Sequence, residues 1–268
     1  MKIGITGIRG RMARALALEI INNNLFDISG ALVRQGYDEV GEDIGEFLGL
    51  ENKTNSKITD NLEELFENSD AVIDFSSPEL TMQCAEMASK KHKILVSGTT
   101  GLTDENMERL HTLANDCAIV HSSNMSIGAN ILLNLVEETA SLLNEDYDTE
   151  VLEMHHRNKK DAPSGTALML GKAIAKGRNL NFGEVSKKVR DGEVGPRETN
   201  EIGFAVLRGG DVVGEHTVIF AGIGERIELA HKATSRIIFV KGAIRAAIWA
   251  SGKKSGFYTM QDVLRIEK

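Results

Sequence analysis

The sequence predicts an α/β protein with an N-terminal Rossmann-like doubly wound parallel sheet and a smaller α+β domain, which carries a mixed, mainly antiparallel sheet. Short apolar strands alternate with helical patterns through the first half of the chain, as in parallel βαβ folds. A glycine-rich turn follows the first strand, and the second half groups several strands without helices between them. A chain of 268 residues is long enough for two such domains.

The first strand covers residues 2–6 and leads into a glycine-rich turn before a helix over residues 14–22. The spacing Gly-x-x-Gly-x-x-Ala is a looser relative of the dinucleotide-binding fingerprint. Gly7 permits a tight turn, Gly10 lets the backbone approach a pyrophosphate, and the new helix N-terminus faces the phosphates. The pattern is weak alone, but between a strand and a helix it predicts the cofactor-binding residues Gly7, Ile8, Arg9, Gly10, Arg11 and Met12.

The second strand, over residues 28–33, ends at Val33 and is followed by Arg34. Sites for NAD usually place an acidic residue here for the ribose hydroxyl, whereas an Arg accommodates the 2′-phosphate of NADP. We therefore predict that NADPH is preferred over NADH and that Arg34 contacts the phosphate. The alternative is that Arg34 is an ordinary solvated loop residue, and use of both cofactors stays open.

Three further strands, over residues 71–75, 94–96 and 118–120, end in polar turns, with helices over residues 79–91 and 104–115 between them. Ligands of doubly wound sheets bind beyond the carboxyl ends of the strands. Any one of these turns alone is more often an ordinary turn. Together they predict further cofactor-binding residues: Gly98, Thr99, Thr100, Ser122, Ser123, Asn124 and Met125.

The second half of the chain is organised differently. Helices over residues 127–143 and 167–175 accompany strands over residues 150–154, 202–207, 211–220 and 226–232. A last helix over residues 236–251 returns to the first domain. We therefore assign residues 1–126 with 236–268 to a dinucleotide-binding domain, and residues 127–235 to a substrate-binding and oligomerisation domain.

The stretch over residues 153–166 is the most informative motif. It places His155, His156 and Lys159 within five residues, ahead of a Pro-Ser-Gly-Thr turn and an apolar helix. Imidazole exchanges protons near neutral pH, while Lys and a helix N-terminus hold carboxylates, so the motif predicts a site for a small acidic substrate. The alternative is a solvated basic loop. A metal site is disfavoured because adjacent His residues of a strand point to opposite faces, and no Cys or carboxylate lies at a typical zinc-ligand spacing.

Composition narrows the class of protein further. The net charge of −8 argues against general nucleic-acid binding. No apolar run is long enough to span a bilayer, and the scattered arginines of the N-terminal segment are unlike a signal peptide. Cys84 and Cys117 are too few to indicate a disulfide framework, which fits a reducing cytoplasm. From charge, apolar runs and cysteines together we expect a cytoplasmic protein without nucleic-acid or membrane partners.

Together the motifs carry a specific resemblance over nearly the full length. The signature Glu-x-His-His-x-x-Lys-x-Asp-Ala-Pro-Ser-Gly-Thr-Ala over residues 153–167 resembles that of the 4-hydroxy-tetrahydrodipicolinate reductase (dihydrodipicolinate reductase) family of bacterial lysine and diaminopimelate synthesis. The turns over residues 10–12, 98–101 and 123–126 are similar to the family's cofactor turns. In the second half, residues 202–204, 214–217 and 224–226 also match its pattern.

The resemblance implies NAD(P)H-dependent reduction of a small cyclic dicarboxylate, with hydride transfer to ring C4 and loss of water. It implies His155 as proton donor and acceptor and Lys159 as proton donor. It also implies a homotetramer built through the sheet of the second domain. The substrate-binding residues that it implies are His156, Ser164, Gly165 and Thr166.

The chain departs from the family pattern at Val33 and in the turn Phe75-Ser76-Ser77-Pro78, where the common family pattern is Phe-Thr-x-Pro. Val33 stands where members often carry an acidic residue, which strengthens the prediction of NADPH. Ser77 stands where some relatives carry an Arg, which removes one phosphate contact.

Three other functions compete with this hypothesis. Another two-domain NAD(P)-dependent dehydrogenase, such as an amino-acid dehydrogenase, would share the glycine-rich turn but would not need the His-His-x-x-Lys site. A non-catalytic nicotinamide sensor would bind NADPH and tolerate the loss of His155. A thiol-dependent aldehyde dehydrogenase would need a reactive Cys, whereas the positions of Cys84 and Cys117 predict packed side chains.

Overall fold

The computed structural model describes residues 1–23 and 25–264. Over these residues the strands are β1 (Lys2–Thr6), β2 (Asp27–Leu32), β3 (Ile58–Thr59), β4 (Ala71–Asp74), β5 (Ile94–Ser97), β6 (Ala118–His121), β7 (Asp148–His155), β8 (Ser186–Lys187), β9 (Ile202–Arg208), β10 (Gly214–Gly222), β11 (Glu225–Ala233) and β12 (Gly256–Tyr258). The helices are α1 (Arg11–Ile21), α2 (Ile44–Leu48), α3 (Leu62–Glu67), α4 (Pro78–Lys91), α5 (Asp104–Leu113), α6 (Ile127–Leu142), α7 (Gly165–Gly177), α8 (Phe182–Val185), α9 (Ile237–Ala250) and α10 (Met260–Val263). Within this described part of the chain, every helix is too short or too polar to span a bilayer.

The chain divides into two compact units. The first unit joins Met1–Ile127 to Arg236–Lys268, and the second unit is Gly128–Ser235. The first unit is therefore discontinuous in sequence, with the second unit inserted between its two parts.

The first unit is built around a parallel sheet with the strand order β12-β6-β5-β4-β1-β2-β3. Neighbouring strands pair in parallel throughout, and all four residues of β4 are buried. Val72 and Ile73 are adjacent in β4 but belong to two different apolar cores, because successive side chains of a strand point to opposite faces. One core includes residues of α1 and α9 and the other residues of α3, α4 and α5, so the predicted doubly wound sheet is confirmed.

The helix after the glycine-rich turn begins earlier than predicted. Its first residue is Arg11 rather than the residue at position 14, because Gly10 adopts an extended backbone (φ −76°, ψ 149°) and forms the N-cap. Arg11 and Met12 therefore lie in the first helical turn and not in the loop. The short elements α2, β3, α3 and β12 were not predicted, since each offers too few residues for a periodic pattern.

The second unit contains a sheet with the strand order β11-β10-β7-β9-β8. β10 pairs antiparallel with β7 and with β11, whereas β9 pairs parallel with β7 and with β8, so the predicted mixed sheet is confirmed. Burial alternates along β7 and β10 because one face of the sheet forms a core with α6 and α7. Val151, Val218 and Phe220 point into this core, and Leu152 and Ile219 lie on the opposite, half-exposed face.

Candidate active site

The glycine-rich turn of the first unit has a backbone that a ligand can approach closely. Gly7 has a φ of +66°, a left-handed conformation that favours glycine. The amide of Gly10 donates to the carbonyl of Gly7 at 2.8 Å, and a Cβ at position 10 would lie 3.2 Å from that carbonyl oxygen. This tight turn precedes the eleven residues of α1, whose N-terminus attracts anions. The turn therefore fits a dinucleotide pyrophosphate.

A cavity of about 650 Å³ adjoins this turn. Gly7, Arg9, Gly10 and Arg34 line it, and Val33 and Tyr37 are also part of its wall. The guanidinium carbon of Arg9 lies 4.4 Å from the centroid of the Tyr37 ring, and its Nε lies 3.5 Å from a carboxylate oxygen of Glu39. The cavity thus offers two arginines and an aromatic ring to a phosphorylated nucleotide.

Other predicted cofactor residues hold different places in the first unit. The side chains of Ile8 and Met125 are buried in the core, and Met12 packs against it, so these three residues offer a ligand mainly backbone. Thr100 and Ser123 are exposed, and Arg11 is exposed at the start of α1. None of these residues lines the cavity described above.

Buried Asp74 connects the turns that follow β4 and β5, a role that the sequence analysis missed. Its carboxylate accepts hydrogen bonds from the hydroxyls of Thr6 and Ser76 at 2.5 Å each. It also accepts from Thr81 at 2.5 Å and from Thr99 at 2.9 Å. Because these hydroxyls come from β1, from the turn after β4, from α4 and from the turn after β5, one carboxylate ties together the carboxyl edge of the sheet.

The turns after β5 and β6 are also held by their own hydrogen bonds. The hydroxyl of Thr99 accepts from the amide of Ser76 at 3.1 Å, and the amide of Ser122 donates to the carbonyl of Ser97 at 3.1 Å. The hydroxyl of Ser122 donates to the carbonyl of Asn124 at 2.8 Å. Gly98 packs so closely on Phe75 that a Cβ at position 98 would lie 2.1 Å from the ring. The two turns therefore have defined backbones, and the turn after β5 packs on Phe75, which lines the cavity.

In the second unit, β7 ends at His155, and Glu153 lies two residues earlier on the same buried face of the strand. Nδ1 of His155 lies 2.5 Å from Oε2 of Glu153. Arg208, at the end of β9, donates to both carboxylate oxygens, at 2.8 and 2.9 Å. The amide of Ser164 donates to Oε1 at 2.9 Å. Four donors thus converge on one carboxylate.

The charge state of Glu153 follows from these contacts. Burial raises the pKa of Glu153, but the hydrogen bonds from His155, from Arg208 and from the amide of Ser164 together outweigh burial and lower its pKa to about 2. The carboxylate is therefore ionised at neutral pH, and it accepts a hydrogen bond from a proton-bearing Nδ1 of His155.

His216, on β10, completes this buried cluster. Its Nε2 lies 3.0 Å from the hydroxyl of Ser164, and its ring packs edge-on against that of His155 with 5.1 Å between the centroids. Burial, followed by the nearby charge of His155, lowers the pKa of His216 to about 4. His216 is therefore neutral at pH 7 and fixes Ser164 and one side of the His155 ring.

The remaining predicted substrate residues surround the start of α7. Ser164 is the N-cap, and its hydroxyl accepts from the amide of Ala167 at 3.2 Å. Gly165 is exposed, and apart from its two chain neighbours and the backbone of its own helix no atom lies within 4 Å of the position that a Cβ would take there. Lys159 is half-buried, and its Nζ lies 2.9 Å from Asp161.

His156 and Thr166 are half-buried. Ser164 and His155 are brought together through their shared partner Glu153. The start of α7 thus offers a helix N-terminus and a glycine that leaves space above it, which can hold a carboxylate, and the turn before the helix carries the ammonium of Lys159.

Some residues of this cluster had a signal in the sequence and others had none. Glu153 stands two residues before His155 in a predicted strand, so its position on the same face was predictable. Arg208 and His216 reach the cluster only through the pairing of β9 and β10 with β7, which a single sequence does not show. Within the described residues, no group of three or more His, Cys, Asp or Glu side chains is arranged to hold a metal ion.

The two cysteines take no part in either site. Both are free and buried. Burial raises the pKa of Cys117 to about 12 and raises that of Cys84 well above its usual value. Neither thiol is an activated nucleophile, which argues against thiol-dependent aldehyde oxidation.

Comparison with known proteins matches both units of the chain to one protein family. The family model for the N-terminus of dihydrodipicolinate reductase matches residues 1–125, and the model for its C-terminus matches residues 128–264. A 4-hydroxy-tetrahydrodipicolinate reductase of Hahella chejuensis is 46% identical over 266 residues, covering 99% of each chain. One from Ruegeria sp. is 45% identical and covers 98% of this chain and 97% of its own.

Solved structures share the fold at lower identity. A dipicolinate-bound dihydrodipicolinate reductase from Paenisporosarcina sp. TG-14 has a TM-score of 0.76 and 22% identity, covering 98% of each chain. An amine dehydrogenase from Mycobacterium smegmatis has a TM-score of 0.62 and 12% identity, covering 97% of this chain and 95% of its own. At these identities the likeness concerns the fold alone.

Proposed function

The chain belongs to the dihydrodipicolinate reductase family, and we propose that it reduces 4-hydroxy-tetrahydrodipicolinate to tetrahydrodipicolinate, with loss of water, in lysine and diaminopimelate biosynthesis. The observation that carries the proposal is the cluster of Glu153, His155 and Ser164 at the start of α7, in a chain that matches both family models. When bound, the pyridine nucleotide supplies the hydride that adds to ring C4.

Each unit has its own part in this reaction. We assign nucleotide binding to the first unit, where the turn over residues 7–10 and the adjoining cavity offer glycines and arginines. Substrate binding and proton transfer belong to the second unit, with His155 and Lys159. The Rossmann-type sheet of the first unit agrees with a pyridine-nucleotide-dependent reductase.

The substrate carboxylates meet the positive end of α7 and the ammonium of Lys159. The first-turn residues Gly165 and Thr166 hold one carboxylate, and His156 contributes a further contact. A helix N-terminus contributes about 0.3–1 kcal/mol to such an anion when exposed, and more when water is excluded. Asp161 holds Lys159 in place through its 2.9 Å ion pair, so the ammonium is already oriented before the substrate binds.

His155 and Lys159 supply the proton that the reduction needs. Hydride addition to a conjugated imine leaves negative charge on nitrogen and carbon, and imidazolium or ammonium can neutralise it. Because Nδ1 of His155 is engaged by Glu153, Nε2 is the atom that exchanges the proton. A general acid of this kind contributes about 10²–10⁴-fold in rate.

NADPH is the preferred cofactor in this proposal. Arg34 follows β2 and lines the cavity together with Arg9, and Val33 leaves no acidic group at the position that binds the ribose hydroxyl of NAD. Two guanidinium groups in one cavity favour a 2′-phosphate over a hydroxyl. The arrangement also admits NADH with lower affinity.

The oligomer in this proposal is a homotetramer joined through the outer face of the second unit's sheet. Cross-strand neighbours on that face are Ala205, Leu152, Thr217 and Ala230, a row of small or apolar side chains. Leu207 on β9 is 48% exposed, and burying such a surface drives association. Light scattering is expected to give the mass of four chains, and a monomer mass at working concentration would remove this assignment.

The compartment in this proposal is the cytoplasm, where thiols stay reduced. Cys84 and Cys117 are both free and buried, which is the usual state of cysteines in a reducing compartment.

The first test is nicotinamide oxidation by the purified protein with freshly generated 4-hydroxy-tetrahydrodipicolinate, using NADPH and NADH in parallel. We expect turnover that favours NADPH, and a loss of about 10²–10⁴-fold in His155→Ala or Lys159→Ala with NADPH affinity nearly unchanged. The neighbouring exposed lysine provides a matched control, so Lys160→Ala should retain wild-type turnover. NADPH binding without turnover in the wild type would favour the sensor or another dehydrogenase instead.

A further inference from the structure

The buried Glu153–Arg208 pair has a role beyond the reaction described above. We propose that Glu153 and Arg208 are positioning residues that hold His155 in one tautomer and one ring orientation for proton transfer at Nε2. This inference rests on the proposed function, because it takes His155 as a proton donor.

All four groups around Glu153 are donors. Oε2 faces Nδ1 of His155 at 2.5 Å and one nitrogen of Arg208 at 2.8 Å, while Oε1 accepts from the other nitrogen of Arg208 and from the amide of Ser164, both at 2.9 Å. An ionised carboxylate has no proton to offer Nδ1, so Nδ1 must carry the hydrogen. The neutral imidazole therefore keeps its proton on Nδ1 and leaves the lone pair on Nε2, the atom that gives up and regains the catalytic proton.

Arg208 keeps this carboxylate charged and in place. It is the β9 residue that pairs with His155 of β7, so the strand register places its side chain beside the motif. The same guanidinium donates to the carbonyl of Asp161 at 2.7 Å, which joins Glu153 to the turn that carries Lys159. If Arg208 were absent, the buried carboxylate of Glu153 would lose the fixed positive charge beside it, because Lys159 pairs with Asp161 instead.

The backbone and a second imidazole also border the ring away from Nδ1. A Cβ at position 214 would lie 3.0 Å from Nε2 and 3.3 Å from Cδ2 of His155, so the bare backbone of Gly214 borders the ring. His216 packs edge-on at a centroid distance of 5.1 Å. The ring is thus held by a hydrogen bond at Nδ1 and by packing at its other edge, and loss of the hydrogen bond is the change that frees its tautomer.

The test uses Glu153→Gln in the full-length protein, with ¹⁵N NMR of the histidine ring at a pH where His155 is neutral. A glutamine presents one oxygen and one NH₂ group to four donors, so its NH₂ group favours an Nδ1 lone pair and a proton on Nε2. We expect the His155 signals to change from the Nδ1–H to the Nε2–H tautomer. We also expect kcat to fall by about tenfold to hundredfold, with the KM for NADPH unchanged, by analogy with metal-binding histidines, whose orienting hydrogen-bond partners typically contribute that much.

Controls separate positioning from a general loss of structure. Glu145→Gln changes an exposed glutamate of the same unit and should alter neither the tautomer nor kcat. Arg208→Lys keeps the charge but loses the two-pronged contact, so it should retain the Nδ1–H tautomer and more activity than Arg208→Gln. If Glu153→Gln does not fold, this pair of Arg208 variants tests the positioning role, and equal activity in the two would overturn it.

Two results distinguish the failure of this inference from that of the proposed function. A folded Glu153→Gln variant with wild-type tautomer and kcat overturns the positioning role. Wild-type kcat in His155→Gln would instead remove His155 as the proton donor, and with it the reaction step on which the positioning role depends.

Discussion

Replacing Gly98 with alanine tests whether the turn after β5 contacts the nucleotide. A Cβ at this position would lie 2.1 Å from Cε1, 2.6 Å from Cδ1 and 2.9 Å from Cζ of Phe75. Carbon atoms in ordinary contact are about 3.5–4.0 Å apart, so the ring or the turn must move by more than about 1 Å. Phe75 lines the cavity of the first unit, and a displaced ring therefore changes the space available to the nucleotide.

The size of the effect follows from that displacement. Forcing one extra carbon into a packed site typically costs about 1–3 kcal/mol, divided between strain in the free protein and loss of ligand contacts. If about 1–2 kcal/mol appears in binding, the Kd for NADPH rises by roughly 5–30-fold. The hydrogen bond from the amide of Gly98 to the carbonyl of Asp74, at 2.9 Å, should hold the backbone near its place and direct most of the movement into the ring.

The assay is a titration of NADPH against the Gly98→Ala variant, with thermal unfolding measured in parallel. Gly252→Ala is the matched control in the same unit, because a Cβ there would meet only the carbonyl oxygen of Trp249 at 4.0 Å. The control should bind NADPH as the wild type does. If Gly98→Ala is folded and binds NADPH with wild-type affinity, the turn over residues 98–101 does not contribute to the nucleotide site.

Three further predictions concern the two sites. Arg34→Ala should lower kcat/KM for NADPH by roughly 5–30-fold while leaving NADH nearly unchanged, because an exposed charge-assisted contact contributes about 1–2 kcal/mol; an unaltered NADPH/NADH ratio would contradict the assignment of Arg34. Gly214→Ala should lower kcat about tenfold at constant NADPH affinity, since its Cβ would lie 3.0 Å from Nε2 of His155, and unchanged kcat would show that the ring position is not critical. Stability measured by urea unfolding should fall by up to about 3 kcal/mol as the pH drops from 6.5 to 4, because His216 binds a proton there in the unfolded chain but not in the folded protein, where its pKa is about 4. It should fall again by up to about 3 kcal/mol between pH 4.5 and 2, because Glu153 is protonated in the unfolded chain before it is protonated in the folded protein, where its pKa is about 2. A constant stability from pH 7 to 4 would argue against a buried neutral His216.

Local patterns predicted much of the first unit. The glycine-rich turn, the apolar strands and the polar turns after them depend on neighbours in sequence, so the doubly wound sheet was accessible from one chain. The helix start was placed three residues late, because a bare Gly10 can act as an N-cap without a polar side chain that would mark it. The three residues of β12 were missed for a related reason, since their strand character depends on pairing with β6.

The substrate site divides in the same way. The motif from Glu153 to Thr166 is continuous, so its imidazoles, ammonium and helix start were predicted together. Arg208 lies 55 residues from Glu153 and meets it only because β9 runs parallel to β7 in one register. The sequence predicts Asp74 only as part of a buried strand, and its hydroxyl partners are as many as 68 positions away. Such long-range polar contacts depend on topology, which a single sequence does not encode in any short pattern.

The discontinuity of the first unit has a consequence for synthesis on the ribosome. A nascent chain that has reached Ser235 contains the whole second unit, but it still lacks α9 and β12 of the first. Until α9 and β12 have been synthesised, the surface of β4, β5 and β6 that α9 later covers stays exposed. The edge of β6 that faces away from β5 has no strand partner during this time. We therefore expect the second unit to become protease-resistant before the first in arrested nascent chains, the reverse of the usual N-to-C order. We expect the half-finished sheet to be a surface that a chaperone binds during that interval.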